Sequence, residues 1–166
     1  MEYLQLFDEE GNELKEKIAR SDKFNIEKGK YFKIILLIIE NEKHEFLIEK
    51  TSNERNNVFA FLGGHVTYGD SNIKTVIKEA KEELGIDIKE YEIKFVDTIK
   101  HDIAYCDTFY THKNINLKDI KVQEEEVDSV YWMSKEEIFN LDKKGEFRHS
   151  NIQNFKKVLD YLKKVK

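Results

Sequence analysis

No proline occurs anywhere in this sequence, and cysteine occurs once, at Cys106. A single cysteine excludes an internal disulfide and any cysteine-built zinc site. Its place in an extended apolar stretch reads as a small buried residue rather than a nucleophile. The lack of proline carries no functional conclusion. Long apolar runs are missing too. The most apolar stretch, Ile34 to Ile39, is far short of the ~20 residues a membrane helix needs, so it reads as a buried strand. The opening residues, MEYLQLFDEE, have neither the basic start nor the apolar centre of a secretory signal, and the expected compartment is the cytoplasm. Positive charge is not in excess either: 28 Lys and Arg stand against 33 Asp and Glu, a net charge of −5. Sequence-blind nucleic-acid binding is driven by phosphate neutralisation, so no nucleic-acid partner is expected, nor a membrane. A phosphate-bearing substrate would need something other than net charge to attract it. A divalent cation held by carboxylates is such a device.

What is present suffices for a packed core. Hydrophobic residues make up 40% of 166 and charged residues 37%, which predicts one domain over residues 1–166. Residues 2–7 alternate weakly and lead into a turn at Asp8-Glu9-Glu10-Gly11, while residues 12–30 are polar and ambiguous. Tyr31 to Ile39 predicts a strand, and His44 to Ile48 a second, joined as a hairpin across Asn41-Glu42-Lys43. A short apolar run from Val58 to Leu62 ends at Gly63-Gly64. Ser71 to Leu84 has helical spacing stopped by Gly85. Tyr91 to Ile99, Ala104 to His112 and Val127 to Met133 read as further strands. Ser134-Lys135-Glu136-Glu137 has the form of a capping box opening a short helix. Asn151 to Val165 is an amphipathic helix with Ile152, Phe155, Val158, Leu159 and Leu162 on one face. This order predicts an α/β/α sandwich of three layers around a mixed sheet.

The chemistry concentrates in Gly63-Gly64-His65-Val66-Thr67-Tyr68-Gly69-Asp70 and the helix that follows, with Asp70 or Ser71 as its cap. Residues about 100° apart put Glu79, Glu82 and Glu83 on one face. Ile73, Val76, Ile77, Ala80 and Leu84 fall on a second face, and Lys74, Lys78 and Lys81 on a third. Like charges so spaced destabilise a bare helix, and an oxygen-ligated divalent cation reverses that penalty. Solvated glutamates on a helix are common. What makes this pattern rarer is its start just after a glycine-rich loop, where the backbone can approach a ligand and Gly69 lets the chain turn.

The run from Gly64 to Ile86 resembles the Nudix box. That signature reads Gly, five residues, Glu, seven residues, Arg-Glu, aliphatic, any residue, Glu-Glu, any residue, Gly, aliphatic. Here Gly64 is followed by Asp70 and then by Lys78-Glu79-Ala80-Lys81-Glu82-Glu83-Leu84-Gly85-Ile86. Asp70 replaces Glu, Lys78 replaces Arg, and Ala80 is small for its position, while Glu-x-x-Glu-Glu-x-Gly is intact. The resemblance implies a Nudix hydrolase cleaving the diphosphate of a nucleoside diphosphate linked to another moiety, with Mg²⁺ or Mn²⁺ as cofactor. It implies Glu79, Glu82, Glu83 and the Gly63 carbonyl as metal ligands. Gly63, Gly64 and His65 would face the substrate. Catalytic roles would fall to Glu79, to Lys78 reaching Glu82 one turn on, and to Glu126 as an auxiliary base or second-metal ligand, on a loop free to close when substrate binds. A homodimer is an open alternative to a monomer. His44, His101, His112 and His149 show no ligand spacing and read as structural or surface residues.

Two other readings of the same resemblance stay open. The layout is similar to the isopentenyl-diphosphate isomerase branch, but that chemistry needs a cysteine directly before the Gly-His pair, where this chain has Gly63. A non-catalytic nucleotide or nucleotide-sugar sensor on this fold would be expected to lose ligand glutamates, which are kept here.

Overall fold

The structure is a computed structural model that describes residues 1–165. The chain opens with β1 (Tyr3–Phe7) and β2 (Glu13–Ala19), which pair antiparallel as a separate two-stranded sheet. The ambiguous stretch therefore contains a strand. Its residues are mostly exposed, so no buried face imposed an apolar alternation to read. A 3₁₀ turn over Arg20–Asn25 leads into the main sheet.

The main sheet has seven strands: β3 (Phe32–Glu40), β4 (Phe46–Thr51), β5 (Phe59–Ala60), β6 (Leu62–His65), β7 (Lys94–Lys100), β8 (Ala104–His112) and β9 (Val127–Met133). It is mixed. β3 runs parallel to β8 along its whole length, and the other pairings are antiparallel. The expected β3–β4 hairpin is present but registered only at Glu40 opposite Phe46. Beyond that pair β4 runs against β9 and β5, while β6 takes the edge of β3 from Ile34 to Leu37. The two glycines are thus strand residues, Gly64 opposite Ile35 and Gly63 opposite Leu36.

Alternation along β3 divides the core. Ile35, Leu37 and Ile39 join Val76, Ala80 and Leu84 of α1 (Asn72–Leu84) in one cluster. Ile38 joins Ile138 of α2 (Lys135–Lys143) and Ile152, Phe155, Val158 and Leu162 of α3 (Ser150–Val165) in another. Helices therefore cover both faces, as the three-layer expectation has it. The capping box at α2 forms as expected: the Glu137 N–H donates to Ser134 Oγ at 3.2 Å, and the Ser134 N–H donates to Glu137 Oε1 at 3.2 Å. Among the described residues no helix is long and apolar enough to cross a membrane.

Candidate active site

The site is built around α1, and local chemistry fixes both its ends. Ser71 is the cap, its Oγ accepting from the Lys74 N–H at 3.1 Å. Asp70 instead accepts from Thr67 Oγ1 at 2.7 Å, within a turn where Gly69 has φ +92°. At the other end Gly85, at φ +67°, adopts the left-handed conformation that glycine tolerates. The Gly85 N–H donates to Lys81 O and the Ile86 N–H to Ala80 O.

The three expected glutamates do not share one environment. Glu82 is exposed, Glu79 is half-buried, and Glu83 is only 4% exposed. Glu83 follows Glu79 by one turn and precedes Leu84, so it lies on the border of the apolar stripe and turns toward the sheet. Glu79, Glu83 and Glu126 converge, each offering a carboxylate oxygen within 4.8 Å of the others. Gly64 makes room for this. A Cβ there would stand 2.4 Å from Glu79 Cδ and 2.7 Å from its Oε1, so the Glu79 carboxylate would have to move from its place. At Gly63 a Cβ would stand 2.7 Å from Leu36 Cδ2, so its smallness serves sheet packing.

Glu126 is already in place. Its segment is fastened to the C-terminal end of α1, where the Lys121 N–H donates to Leu84 O and the Gln123 N–H to Glu83 O. Ser52 adds two bonds, its N–H to Glu126 O and its Oγ to Glu125 O. The loop expected to close over substrate is thus pinned by backbone hydrogen bonds. Arg55 Nη2 donates to Glu126 Oε1 at 2.6 Å.

Lys78 is exposed, and its Nζ lies 3.8 Å from Asp70 Oδ2, an ion pair with the loop rather than with Glu82. His65 lies beside the cluster, but its Nε2 is 3.1 Å from Lys23 Nζ, and its ring stacks on Phe32 with centroids 5.6 Å apart. Burial, reinforced by Arg20, Lys23 and Arg55, pulls its pKa down to about 3, so the ring is neutral and accepts from the ammonium. Cys106 is buried as expected, with Asn154 Nδ2 donating to its Sγ at 3.3 Å. Burial pushes its thiol up to about 11, far from a nucleophile's range.

Electrostatics mark the carboxylates out. Burial first, then Glu82 and Glu126, raises Glu79 to about 7. Burial raises Glu83 and also Glu49, a β4 residue that sequence reasoning did not single out; the charge of Glu49 adds to the rise at Glu83, and Glu126 and Glu79 add to that at Glu49. Glu83 Oε2 and Glu49 Oε2 are buried with no hydrogen-bond partner among the described residues. Orphaned carboxylate oxygens beside a convergent all-oxygen donor set are what a hard divalent cation satisfies, so these residues fit such an ion.

The cluster opens into a cavity of about 550 Å³. Its walls carry Arg20, Lys23, Arg55 and Arg148, together with Phe24, Phe32 and Ile103. The N-terminal hairpin delivers Arg20, Lys23 and Phe24, held by the bridge between Leu4 and Thr67 and by the Tyr68 N–H donating to Tyr3 O. A parallel bridge between Phe59 and Phe147 brings in Arg148. One end of the cavity can hold a cation, and the cationic wall can meet negatively charged oxygens. The basic residues had no spacing signal, because they come from three separate parts of the chain, Arg20 and Lys23 from one 3₁₀ turn, Arg55 from another and Arg148 from the approach to α3.

A NUDIX domain model matches residues 30–155. An uncharacterised Nudix hydrolase of Listeria innocua is 29% identical over 125 residues, 72% of this chain and 73% of that protein. Among solved structures, DR0079 from Deinococcus radiodurans superposes with a TM-score of 0.74 at 16% identity, covering 88% of this chain and 91% of its own. The NUDIX domain of Shewanella oneidensis NrtR, complexed with ADP ribose, gives a TM-score of 0.66 at 10% identity over 87% of this chain and 99% of its own. At those identities the two structures bear on fold alone.

Proposed function

The chain belongs to the Nudix hydrolase family, and from that premise we propose that it hydrolyses the diphosphate linkage of a nucleoside diphosphate joined to another moiety. The observation that carries the reading is the meeting of Glu79, Glu83 and Glu126 at one end of a cavity with cationic walls. Glu79 and Glu83 would hold Mg²⁺ or Mn²⁺, with Glu82 and the Gly63 carbonyl at its margin. When bound, such a cation neutralises the diphosphate and acidifies water beside it. Arg55 fixes one oxygen of Glu126, and the other accepts the proton of the attacking water. Arg20, Lys23 and Arg148 hold the outlying phosphate oxygens, and Phe24 and Phe32 offer faces for a planar group. His65, neutral and tied to Lys23, orients that ammonium. Lys78 braces the glycine loop through Asp70.

The test is product release from nucleoside diphosphate sugars and dinucleoside polyphosphates, with Mg²⁺, with Mn²⁺ and with excess chelator. Turnover of at least one class that stops in chelator is expected. Equal turnover with and without chelator would defeat the metal-assisted reading.

A further inference from the structure

Glu49 stands where a glutamate is costly. It lies on β4 opposite Ala60 of β5 and Val130 of β9, an interior strand position, and is 5% exposed. Alternation puts it on the same side of the sheet as Leu47, which packs in the α1 core. An alkyl side chain would fill such a place at no electrostatic penalty.

Its carboxylate is not compensated from within the protein. Glu49 Oε2 has no hydrogen-bond partner among the described residues, and neither has Glu83 Oε2 on the facing helix. Arg55, one candidate counter-charge, is committed to Glu126. Arg148 stands close enough to favour the charged form of Glu49 but leaves that oxygen unpartnered. Native structures leave few buried polar atoms orphaned, and an ion is one of the few things that accounts for two at once. Two buried, unpartnered carboxylates, close enough that the charge of Glu49 acts on Glu83, define a place for positive charge.

We propose that Glu49 is a further ligand of the divalent cation held by this site, entering on the Glu83 side of the Glu79, Glu83 and Glu126 cluster. The inference rests on the metal-binding reading given above. Glu49 and Glu83 then form the buried wall of the centre, and exposed Glu82 is its solvent edge. With oxygen donors only, the ion is small and hard, Mg²⁺ or Mn²⁺.

The experiment titrates the full chain with Mn²⁺ alone, without substrate, and follows free Mn²⁺ by electron paramagnetic resonance. Glu49→Gln keeps the shape and removes the charge. It should weaken Mn²⁺ binding tenfold or more while the metal-free protein melts at the same temperature or higher, because a buried charge conflict is relieved. Glu49→Asp keeps the charge one methylene short and should bind with intermediate affinity, and it carries the test should the Gln variant fail to fold. Either variant binding Mn²⁺ with wild-type affinity and stoichiometry overturns the proposal and leaves Glu49 a structural acid. Wild-type protein that binds no Mn²⁺ overturns the metal reading itself and this inference with it, a pattern distinct from the first.

Discussion

The two ends of α1 each press against a buried acid of the sheet, and the two acids are treated differently. At the N-terminal end Asp107, 3% exposed, is fully engaged. Lys33 Nζ lies 3.1 Å from its Oδ2, Asn72 Nδ2 donates to the same oxygen at 2.8 Å, and Thr98 Oγ1 donates to Oδ1 at 2.6 Å. At the C-terminal end Glu49 and Glu83 are both buried and each keeps an orphaned oxygen. A buried charge satisfied by its own protein fixes structure. A buried charge left unsatisfied is held ready for something else. The first anchors the helix to β7 and β8, and the second is the face that the proposed ion would meet.

The largest expected effect lies at the unsatisfied end. Glu83→Gln should cut kcat/KM at least about 100-fold, since even partners one step removed from a metal cost 10–100-fold. Its metal-free melting temperature should not fall, because the substitution removes a charge without a partner. Steady-state kinetics with melting curves in chelator check both halves, and a variant that loses stability but keeps its activity would reverse the assignment of the two ends. The satisfied end should respond the other way. Asp107→Asn leaves Lys33 buried and uncompensated, at a cost of about 3–5 kcal/mol. That lowers Tm by roughly 10 °C in a chain of this size. Well below that Tm, kcat should stay within about threefold of wild type; a much larger loss would mean that Asp107 acts on the chemistry and not on the anchor.

How far the sequence reached follows the same division. The box was legible because its spacing is local: the run from Gly64 to Ile86 sets loop, cap, helix and stop by itself. Within it, the three glutamates were expected on one solvent-facing stripe. That holds for Glu82 and not for Glu83, because a helical wheel gives relative angles and leaves open which way the helix rolls against a sheet. Glu49 shows the harder limit. Strand alternation puts Leu47, Glu49 and Thr51 on one side, but only the position of α1 makes that side the interior. Arg55, Arg148 and Lys23 come from a loop, the approach to α3 and a 3₁₀ turn, which long-range packing alone unites. The β2 strand was unreadable for the opposite reason, being too exposed to carry an apolar pattern.

The smallest effect sharpens the contrast most, because it needs no mutation. Glu79 is raised to about 7 from an ordinary glutamate value of 4.5, first by burial, and Glu49 and Glu83 are raised as well. In the metal-free protein the folded state therefore keeps protons that the unfolded chain has already released. Below about pH 4.5 both states are protonated and these groups carry no penalty. From about pH 4.5 up to about 7 for Glu79, about 8 for Glu49 and higher still for Glu83, the unfolded chain binds fewer protons than the folded one, so stability must fall as pH rises. Groups with raised folded-state pKa values lend stability that is complete at the acid end of this window and lost through its upper end. Melting curves in chelator should show Tm dropping by roughly 5 °C from pH 5 to 7.5, given the usual size of Tm response in a domain of this length. Added Mn²⁺ should flatten or reverse the slope, because ligands that must be deprotonated bind the ion more tightly as pH rises. Glu83→Gln should weaken the metal-free slope. A metal-free Tm that climbs across this interval would mean that the carboxylates at the C-terminal end of α1 are compensated after all.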